Sequence, residues 1–200
     1  MEVLKKYNTI LFSFLILNVV LVGLLDSYLH LILDNFNTKT LIKIISLPSI
    51  ILFSMVILNG VLSSDFKHKL VFMKMNNPLP ASRLQKTLKN DQRVSIDQVS
   101  EKFGPIPDDP KQQNVYWYQK IYKPNQDSKK IQDIHKKFLM TRDMTAICII
   151  ILFFSIPNTL FLSGTWLHIF VILCEFFIVR LVAANYGKRF VTTVIAESIY

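Results

Sequence analysis

The 200-residue chain combines an apolar fraction of 51% with a formal net charge of +9, and its mean hydropathy is +0.34. A soluble globular domain seldom combines these properties. The apolar residues fall into four runs, whereas most charges lie between residues 64 and 143. This pattern indicates membrane spans joined by a polar segment, and it argues against a soluble enzyme.

Each apolar run has the length of a membrane span. Roughly 20 apolar residues are needed to cross about 30 Å of hydrocarbon. The sequence meets this requirement at residues 7–25, 41–62, 144–162 and 166–184. Only residues 163–165 separate the last two runs, so we expect a tight antiparallel hairpin there.

The distribution of Lys and Arg predicts which side of the membrane each segment faces. Sixteen of them lie between Lys67 and Arg142, while Lys5 and Lys6 lead the chain and another basic pair follows the fourth run. Because positively charged residues are retained on the cytoplasmic side, we expect the 64–143 segment and both termini to be cytoplasmic.

The polar segment is predicted to consist of short helices separated by helix-breaking residues. A helix at residues 63–75 continues the second span, and Pro78 and Pro80 end it before a polar helix at 81–90. No useful stretch alternates polar and apolar residues as a strand does. The predicted fold is therefore all-α, with four transmembrane helices and a helical cytoplasmic insertion between the second and the third.

Two helix starts in the insertion carry clear capping signals. Ser95 with Gln98 forms a capping box for a helix that ends near Phe103. Asp109 followed by Pro110 is an N-cap and first-turn pair. Both signals place a helix boundary from local chemistry alone.

The helix that follows this pair is predicted at residues 111–122, with Pro124 just beyond its end. A last helix, capped by Asp127 or Ser128, runs directly into the third span. Helical spacing places four residues on the buried side of the 111–122 helix: Val115, Tyr118, Ile121 and Tyr122. Their expected partners are Phe103, Ile131, Ile134 and Phe138.

Basic charge and aromatic rings are interleaved in the insertion. Sixteen basic and eight acidic residues lie between positions 64 and 142. This combination suits a base-bearing anion such as a nucleotide or single-stranded nucleic acid. Alternatively, the positive-inside bias alone supplies the charge, or the segment rests on anionic lipid headgroups. The candidate ligand- or partner-binding residues are Arg83, Arg93, Tyr116, Trp117, Tyr118, Lys120 and Lys123.

Polar residues inside the predicted spans are candidates for intramembrane function. Glu175 falls near the middle of the fourth run, where a carboxylate is costly and should face protein or water. It either lines the pore of an oligomer as an acidic ring or serves a structural role through a hydrogen bond to Asn18 or Ser54. Arg180 lies about 140° around the helix from Glu175. We expect Arg180 to snorkel inward or to pair with Asp143.

The sequence carries no motif of a known catalytic site. It has no P-loop, no GxSxG, no HExxH and no dinucleotide fingerprint. Its two cysteines, Cys148 and Cys174, lie in apolar runs and are read as small apolar residues. We therefore expect no enzymatic activity, no cofactor and no bound metal.

Short motifs in residues 78–143 carry a family resemblance. They are Pro78-Leu79-Pro80, Asp91-x-Arg93, Ile96-Asp97, Phe103-Gly104, Gln113-Asn114-x-x-Trp117-Tyr118 and His135-x-x-Phe138-Leu139-x-x-Arg142-Asp143. In these residues the chain resembles small four-span membrane proteins of bacterial anti-phage operons, including the channel-type effectors of Hailong-like systems and the four-span component of Kiwa. The resemblance implies oligomeric assembly, a cytoplasmic regulatory region and a partner protein from the same operon. It carries over no catalytic residues.

Two hypotheses follow for a protein of the bacterial inner membrane. The first is an oligomeric effector that conducts ions or depolarises the membrane, controlled through its cytoplasmic region by a nucleotide or nucleic-acid signal or by a partner protein. The second is a non-conducting sensor or anchor that recruits a cytoplasmic partner. The predicted parts are two spans in residues 1–63, the basic cytoplasmic region at 64–143, a transmembrane hairpin at 144–185 and a cytoplasmic tail at 186–200.

Overall fold

Every regular element that the structure describes is a helix. The computed structural model describes residues 2–33, 57, 59–89, 91–161 and 166–199, and no strand occurs among them. The prediction of an all-α protein is confirmed for this part of the chain. The main α-helices are α1 (Glu2–Leu33), α2 (Ser64–Phe72), α3 (Leu84–Lys89), α4 (Ile96–Phe103), α5 (Pro110–Tyr116), α6 (Lys129–Phe161) and α7 (Trp166–Ile199). Three shorter pieces complete them: a 3₁₀ turn (Pro80–Arg83), a π-helical stretch (Trp117–Tyr122) and one further turn (Lys123–Asn125).

Two of these helices, α6 and α7, are long and apolar enough to cross a membrane. They have 33 and 34 residues, and their mean hydropathies reach 1.9 and 2.3. α1 contains a shorter apolar stretch, Thr9–Leu25. Most of the predicted second span (41–62) and the turn at 163–165 lie outside the described residues. The length and composition of α6 and α7 favour membrane association.

α1 and α7 are both longer than the spans predicted within them. α1 passes Asp26, where the predicted first span ends, and continues to Leu33. A single Asp ends the apolar run, but its backbone N–H can still form the helical hydrogen bond. The helix therefore continues. α7 likewise runs past residue 184 to Ile199. Its last turns bury apolar side chains at helical spacing: Phe190, Val191, Val194 and Ile195. Residues 186–199, predicted as a cytoplasmic tail, thus form the last turns of α7.

Contacts between residues divide the chain into two units. The first contains the described part of residues 1–63 together with Asp143–Val179. Its core consists of Leu15, Ile147, Cys148, Ile150, Ile151, Ile172 and Phe176. Large apolar side chains also cover its surface, and more than half of each is exposed in Phe12, Leu17, Leu24, Phe153, Phe170 and Ile178. An apolar exterior around an apolar core is the composition expected of a bundle that contacts lipid.

The second unit contains the described part of residues 64–142 and 180–200. Its core draws on α2 to α7 and includes Val71, Leu84, Leu88, Val99, Trp117, Ile121, Ile131, Phe138, Phe190 and Val194. A segment of about 80 residues is marginal for a core of its own. The end of α7 supplies the additional apolar surface that this unit buries.

Both predicted helix starts are confirmed atom by atom. The Ser95 hydroxyl accepts from the Gln98 N–H at 3.2 Å, and the Gln98 side-chain oxygen accepts from the Ser95 N–H at 3.0 Å. The Asp109 carboxylate accepts from the Gln112 N–H at 2.9 Å. Gly104 ends α4 with a φ of 87°, a left-handed conformation that costs glycine little. The hydrogen bonds at Ser95 and Asp109 pair backbone N–H groups that have no partner within the helix at its start.

The π-helical stretch shifts the face that α5 and its extension bury. The Lys123 N–H bonds the Tyr118 carbonyl, five residues back, so this turn holds more residues than an α-helical turn. As a result Tyr116 and Trp117 are buried, whereas Val115 and Tyr118 are 44% and 48% exposed. The prediction that Val115 and Tyr118 belong to the core is wrong, because it assumed an unbroken α-helical period. Four other predicted core residues are buried: Ile121, Ile131, Ile134 and Phe138.

Two helix limits also differ from the prediction. α2 begins at Ser64, after non-helical Leu62 and Ser63, and does not continue the second span. The extension of α5 passes Pro124 and ends at Asn125. In an α-helix the proline ring would clash with the carbonyl four residues back; in this chain the π-helical turn immediately precedes the segment that contains Pro124. By contrast, α6 runs unbroken from the insertion into the predicted third span, as expected.

Candidate functional site

Seven basic side chains of the second unit converge on one cavity. Its volume is about 750 Å³, within the usual range of ligand sites. The basic lining residues are Lys74, Arg83, Lys86, Arg93, Arg180, Lys188 and Arg189. Among the described residues, Asp91 is the one acid in the lining, so the cavity carries a net charge of +6. Such a focused positive field attracts anions.

Arg93 is held in place by hydrogen bonds to two side chains. Its Nη2 and Nε donate to the two carboxylate oxygens of Asp91 at 2.7 and 3.0 Å, and Nη2 also donates to the Thr192 hydroxyl at 2.6 Å. These bonds from Arg93 hold the pKa of Asp91 at about 2, although partial burial opposes the shift. Asp91 is therefore ionised at neutral pH, and its charge is already balanced by Arg93.

The other six cations form no ion pair with any described residue. The Arg83 guanidinium lies over the Phe72 ring, 5.7 Å from the centroid, and burial lowers the pKa of Arg83. The Nε of Arg180 is buried and has no hydrogen-bond partner in the described part of the chain. A buried, unpaired donor on a charged group is costly. The arrangement therefore favours an external anion over further internal pairing.

Sequence reasoning named some of these residues but did not bring them together. It assigned Arg83 and Arg93 to ligand binding and Arg180 to the membrane, whereas all three line one cavity. It missed the contribution of α7. Arg180, Ala184, Lys188 and Thr192 follow one another at intervals of four residues and so lie along one side of that helix. This spacing in the sequence would have indicated that the four residues share one side of a helix, if α7 had been predicted to be continuous.

Two aromatic residues predicted to bind a ligand, Tyr116 and Trp117, are buried instead of exposed, so that prediction is corrected. Tyr116 and Trp117 are 6% and 5% exposed. Trp117 stacks on Tyr122 at a centroid distance of 5.4 Å and meets Phe190 edge-on at 5.3 Å. The Trp117 ring is therefore part of the core of the second unit. A nucleobase would have to displace a core residue to stack on Trp117.

The remaining predicted residues do not line the basic cavity. Lys120 and Tyr116 line a second cavity of about 550 Å³. There the Lys120 ammonium donates to the Phe103 carbonyl at 3.0 Å and lies 4.9 Å from the Tyr116 ring centroid. These contacts cap the end of α4 and give Lys120 a structural role. Tyr118 and Lys123 are exposed and line neither cavity.

The intramembrane candidates Asn18 and Glu175 contact each other within the first unit. The Asn18 side-chain nitrogen donates to Glu175 Oε1 at 3.2 Å and to the Phe14 carbonyl at 3.1 Å. Asn18 is 1% exposed. This contact is the hydrogen bond expected for a structural Glu175, while Glu175 Oε2 and Asn18 Oδ1 are buried without a partner in the described part of the chain. Ser54, the other expected partner, lies outside the described residues.

Among the described residues, no three His, Cys, Asp or Glu side chains are grouped to hold a metal ion.

Comparison with known proteins adds no assignment: no protein family, no curated protein and no solved structure matches this chain. The basic cavity and the buried polar pair are therefore the features that inform a functional proposal.

Proposed function

We propose that this chain is an oligomeric effector of bacterial anti-phage defence that resides in the inner membrane. It has four transmembrane helices, with both termini and the second unit in the cytoplasm. Its activity depolarises or permeabilises the membrane when the cytoplasmic unit receives a signal. That signal is a nucleotide, a nucleic acid or a partner protein from the same operon.

The surface of α7 is the observation that carries the membrane assignment. Only 22% of its most apolar stretch is buried, at a mean hydropathy of 2.3. The core helix of a soluble protein with this composition would be largely covered by its neighbours. Water is a poor solvent for such a surface, and a lipid bilayer is a good one. The resemblance of residues 78–143 to anti-phage membrane proteins supplies the biological setting.

The continuity of α6 and α7 supports control through the cytoplasmic unit. Each is a single helix that contributes residues to both units. A ligand that contacts Arg180, Lys188 or Arg189 therefore acts on the same helix whose N-terminal half is the predicted fourth span.

The pairing of Asn18 with Glu175 favours a second candidate, a non-conducting membrane sensor or anchor. An acidic pore ring needs its carboxylates to face a shared path. In this chain Oε1 of Glu175 already accepts a hydrogen bond inside the subunit. If the protein is an anchor, its spans only hold the second unit at the membrane, where that unit recruits a cytoplasmic partner.

Reporter fusions test the proposed topology. A reporter active only in the cytoplasm, fused after Tyr200, and one active only in the periplasm, inserted at Asn35, should both give signal. Silence at either position contradicts the four-span arrangement. The result does not depend on any effector activity.

Infection assays then separate the two candidates. Cells that carry the chain with its native neighbouring genes are challenged with phage while a voltage-sensitive dye reports membrane potential. The effector predicts protection with depolarisation, and the anchor predicts protection at unchanged potential. If the chain protects against no phage in a broad panel, the defence role fails.

A further inference from the structure

The unpaired cations of the basic cavity restrict what it can bind. Among the described residues, Asp91 is saturated by Arg93, which leaves six cations without an acidic partner. A ligand that balances this charge must carry more than one negative charge or several strong acceptor oxygens. Phosphate groups meet this requirement, because Arg binds them through paired N–H donors and Lys binds them as a point charge.

The rest of the lining calls for an organic portion. The hydroxyls of Thr87 and Thr192 and the amide of Gln92 add neutral hydrogen-bonding groups, while Phe72, Pro80 and Ala184 add apolar surface. A volume of about 750 Å³ also exceeds what one inorganic phosphate fills. The cavity is thus suited to a phosphate attached to a larger, partly apolar molecule.

An exposed apolar side chain lies on the cavity side of α7. Leu181 is 56% exposed, and helical geometry places it within about 60° of Ala184 and about 20° of Lys188, both of which line the cavity. A ligand whose phosphate meets Arg180 and Lys188 can lay an apolar chain or ring against Leu181. This combination of charge and apolar surface is typical of sites that bind anionic lipid headgroups. Sites that bind nucleotides share it.

We propose that the cavity lined by Arg83, Arg180, Lys188 and their neighbours is a binding site for a phosphate-bearing organic anion. The phosphate comes from one of two sources, an anionic phospholipid of the surrounding bilayer or a soluble nucleotide. The proposal deepens the proposed function by naming the class of its signal. It rests on that function in taking the second unit as cytoplasmic and, for the phospholipid source, in placing the chain in a bilayer.

Matched pairs of probes test the phosphate requirement and identify its source. The full chain is purified in a neutral detergent, and binding is measured by native mass spectrometry and by the shift in thermal unfolding. One pair is dioctanoyl phosphatidylglycerol against dioctanoylglycerol, and the other is ATP against adenosine. At least one phosphate-bearing probe should bind, and its phosphate-free partner should not. The pair that responds identifies the source.

Exposed cations allow variants that leave the core intact. The double variant Lys86→Gln/Lys188→Gln removes two charges from the cavity. Loss of two charge-assisted contacts should weaken binding by roughly tenfold or more. The matched control Lys111→Gln/Lys129→Gln removes the same charge from exposed positions outside the cavity and should change affinity less than about twofold. Arg180→Lys should bind better than Arg180→Gln, because it keeps the charge and loses only the forked geometry.

Two results would overturn the proposal. One is that neither phosphate-bearing probe binds the folded chain. The other is that the control double variant weakens binding as much as the cavity double variant, which would mean that only the overall charge matters. A chain that binds a probe through these residues but neither protects against phage nor depolarises cells would overturn the proposed function and leave the site standing.

Discussion

Asn18 of α1 donates its side-chain hydrogen bond to Glu175 of α7, across 157 positions of sequence and a distance of 3.2 Å. The two residues lie in separate apolar runs of the sequence, and each supplies a hydrogen-bonding partner to the other. The bond joins the first predicted span to the fourth. It gives Glu175 a reason to be in the span that does not require ion conduction.

Substitutions at Glu175 should separate its structural role from a pore role. Glu175→Gln keeps the oxygen that accepts from Asn18, so we expect little change in the free energy of unfolding. Glu175→Leu removes this hydrogen bond and leaves Asn18 with the Phe14 carbonyl as its acceptor. The loss should cost roughly 0.6–2 kcal/mol, the range found for hydrogen bonds between membrane helices. Unfolding by a denaturing detergent measures both. If Gln destabilises the chain as much as Leu, or alters ion selectivity in planar bilayers, the structural role is contradicted.

Trp117 should behave as a core residue and Tyr118 as a surface residue, despite their adjacency. Trp117→Ala removes a ring that is 5% exposed and should lower the free energy of unfolding by about 3–5 kcal/mol. Tyr118 is 48% exposed, so Tyr118→Ala should change the free energy of unfolding by only about 0.5 kcal/mol. Thermal unfolding followed by circular dichroism compares the two. Equal effects, or a larger effect at Tyr118, would contradict the π-helical register.

The Asp91–Arg93 pair should make stability depend on pH in the acid range. The folded-state pKa of Asp91 is about 2, below its ordinary value of 3.8, so ionised Asp91 stabilises the fold above about pH 4. That stabilisation should decline as the pH falls from about 4 to about 2. In Asp91→Asn this part of the pH dependence should be absent, whereas the exposed control Asp127→Asn should retain it. Unfolding midpoints measured across this range decide the matter, and identical profiles for Asp91→Asn and the wild type would contradict the assignment.

Gly187 is required by close packing inside the second unit. A Cβ at this position would lie 2.7 Å from Cζ of Phe72 and 2.9 Å from Cε2 of Phe138. Phe138 has little room to move, because its ring packs against His68 and Phe190. Gly187→Ala should therefore incur an overpacking cost of about 1–3 kcal/mol, reduced by the roughly 1 kcal/mol by which alanine favours a helix.

A matched glycine provides the control for that substitution. Gly23 also lies in a helix, and no described atom comes within 4 Å of the position of its Cβ. Gly23→Ala should therefore be neutral or stabilising by up to about 1 kcal/mol. Chemical denaturation of both variants measures the difference. A stabilised Gly187→Ala variant would show that the neighbouring rings yield easily.

Local chemistry in the sequence was sufficient to predict helix type and several helix starts. The capping box of Ser95 and Gln98 and the N-cap of Asp109 depend on residues three positions apart, so their hydrogen bonds can be read directly from the chain. The long apolar runs of α6 and α7 are equally local, since hydropathy sums over consecutive residues. Helical spacing of apolar residues was also present at Phe190, Val191, Val194 and Ile195. It was not used, because these residues were predicted to belong to a tail.

The register of the extended α5 and the composition of the basic cavity were decided only by tertiary structure. A π-helical turn is stabilised by what it packs against, and in this chain it lets Trp117 reach Tyr122 and Phe190 instead of solvent. The cavity gathers Arg83, Arg93 and Arg180 from positions up to 97 residues apart. Sequence reveals that these residues are charged, but whether their charges meet depends on how distant helices pack, and no local pattern encodes that packing.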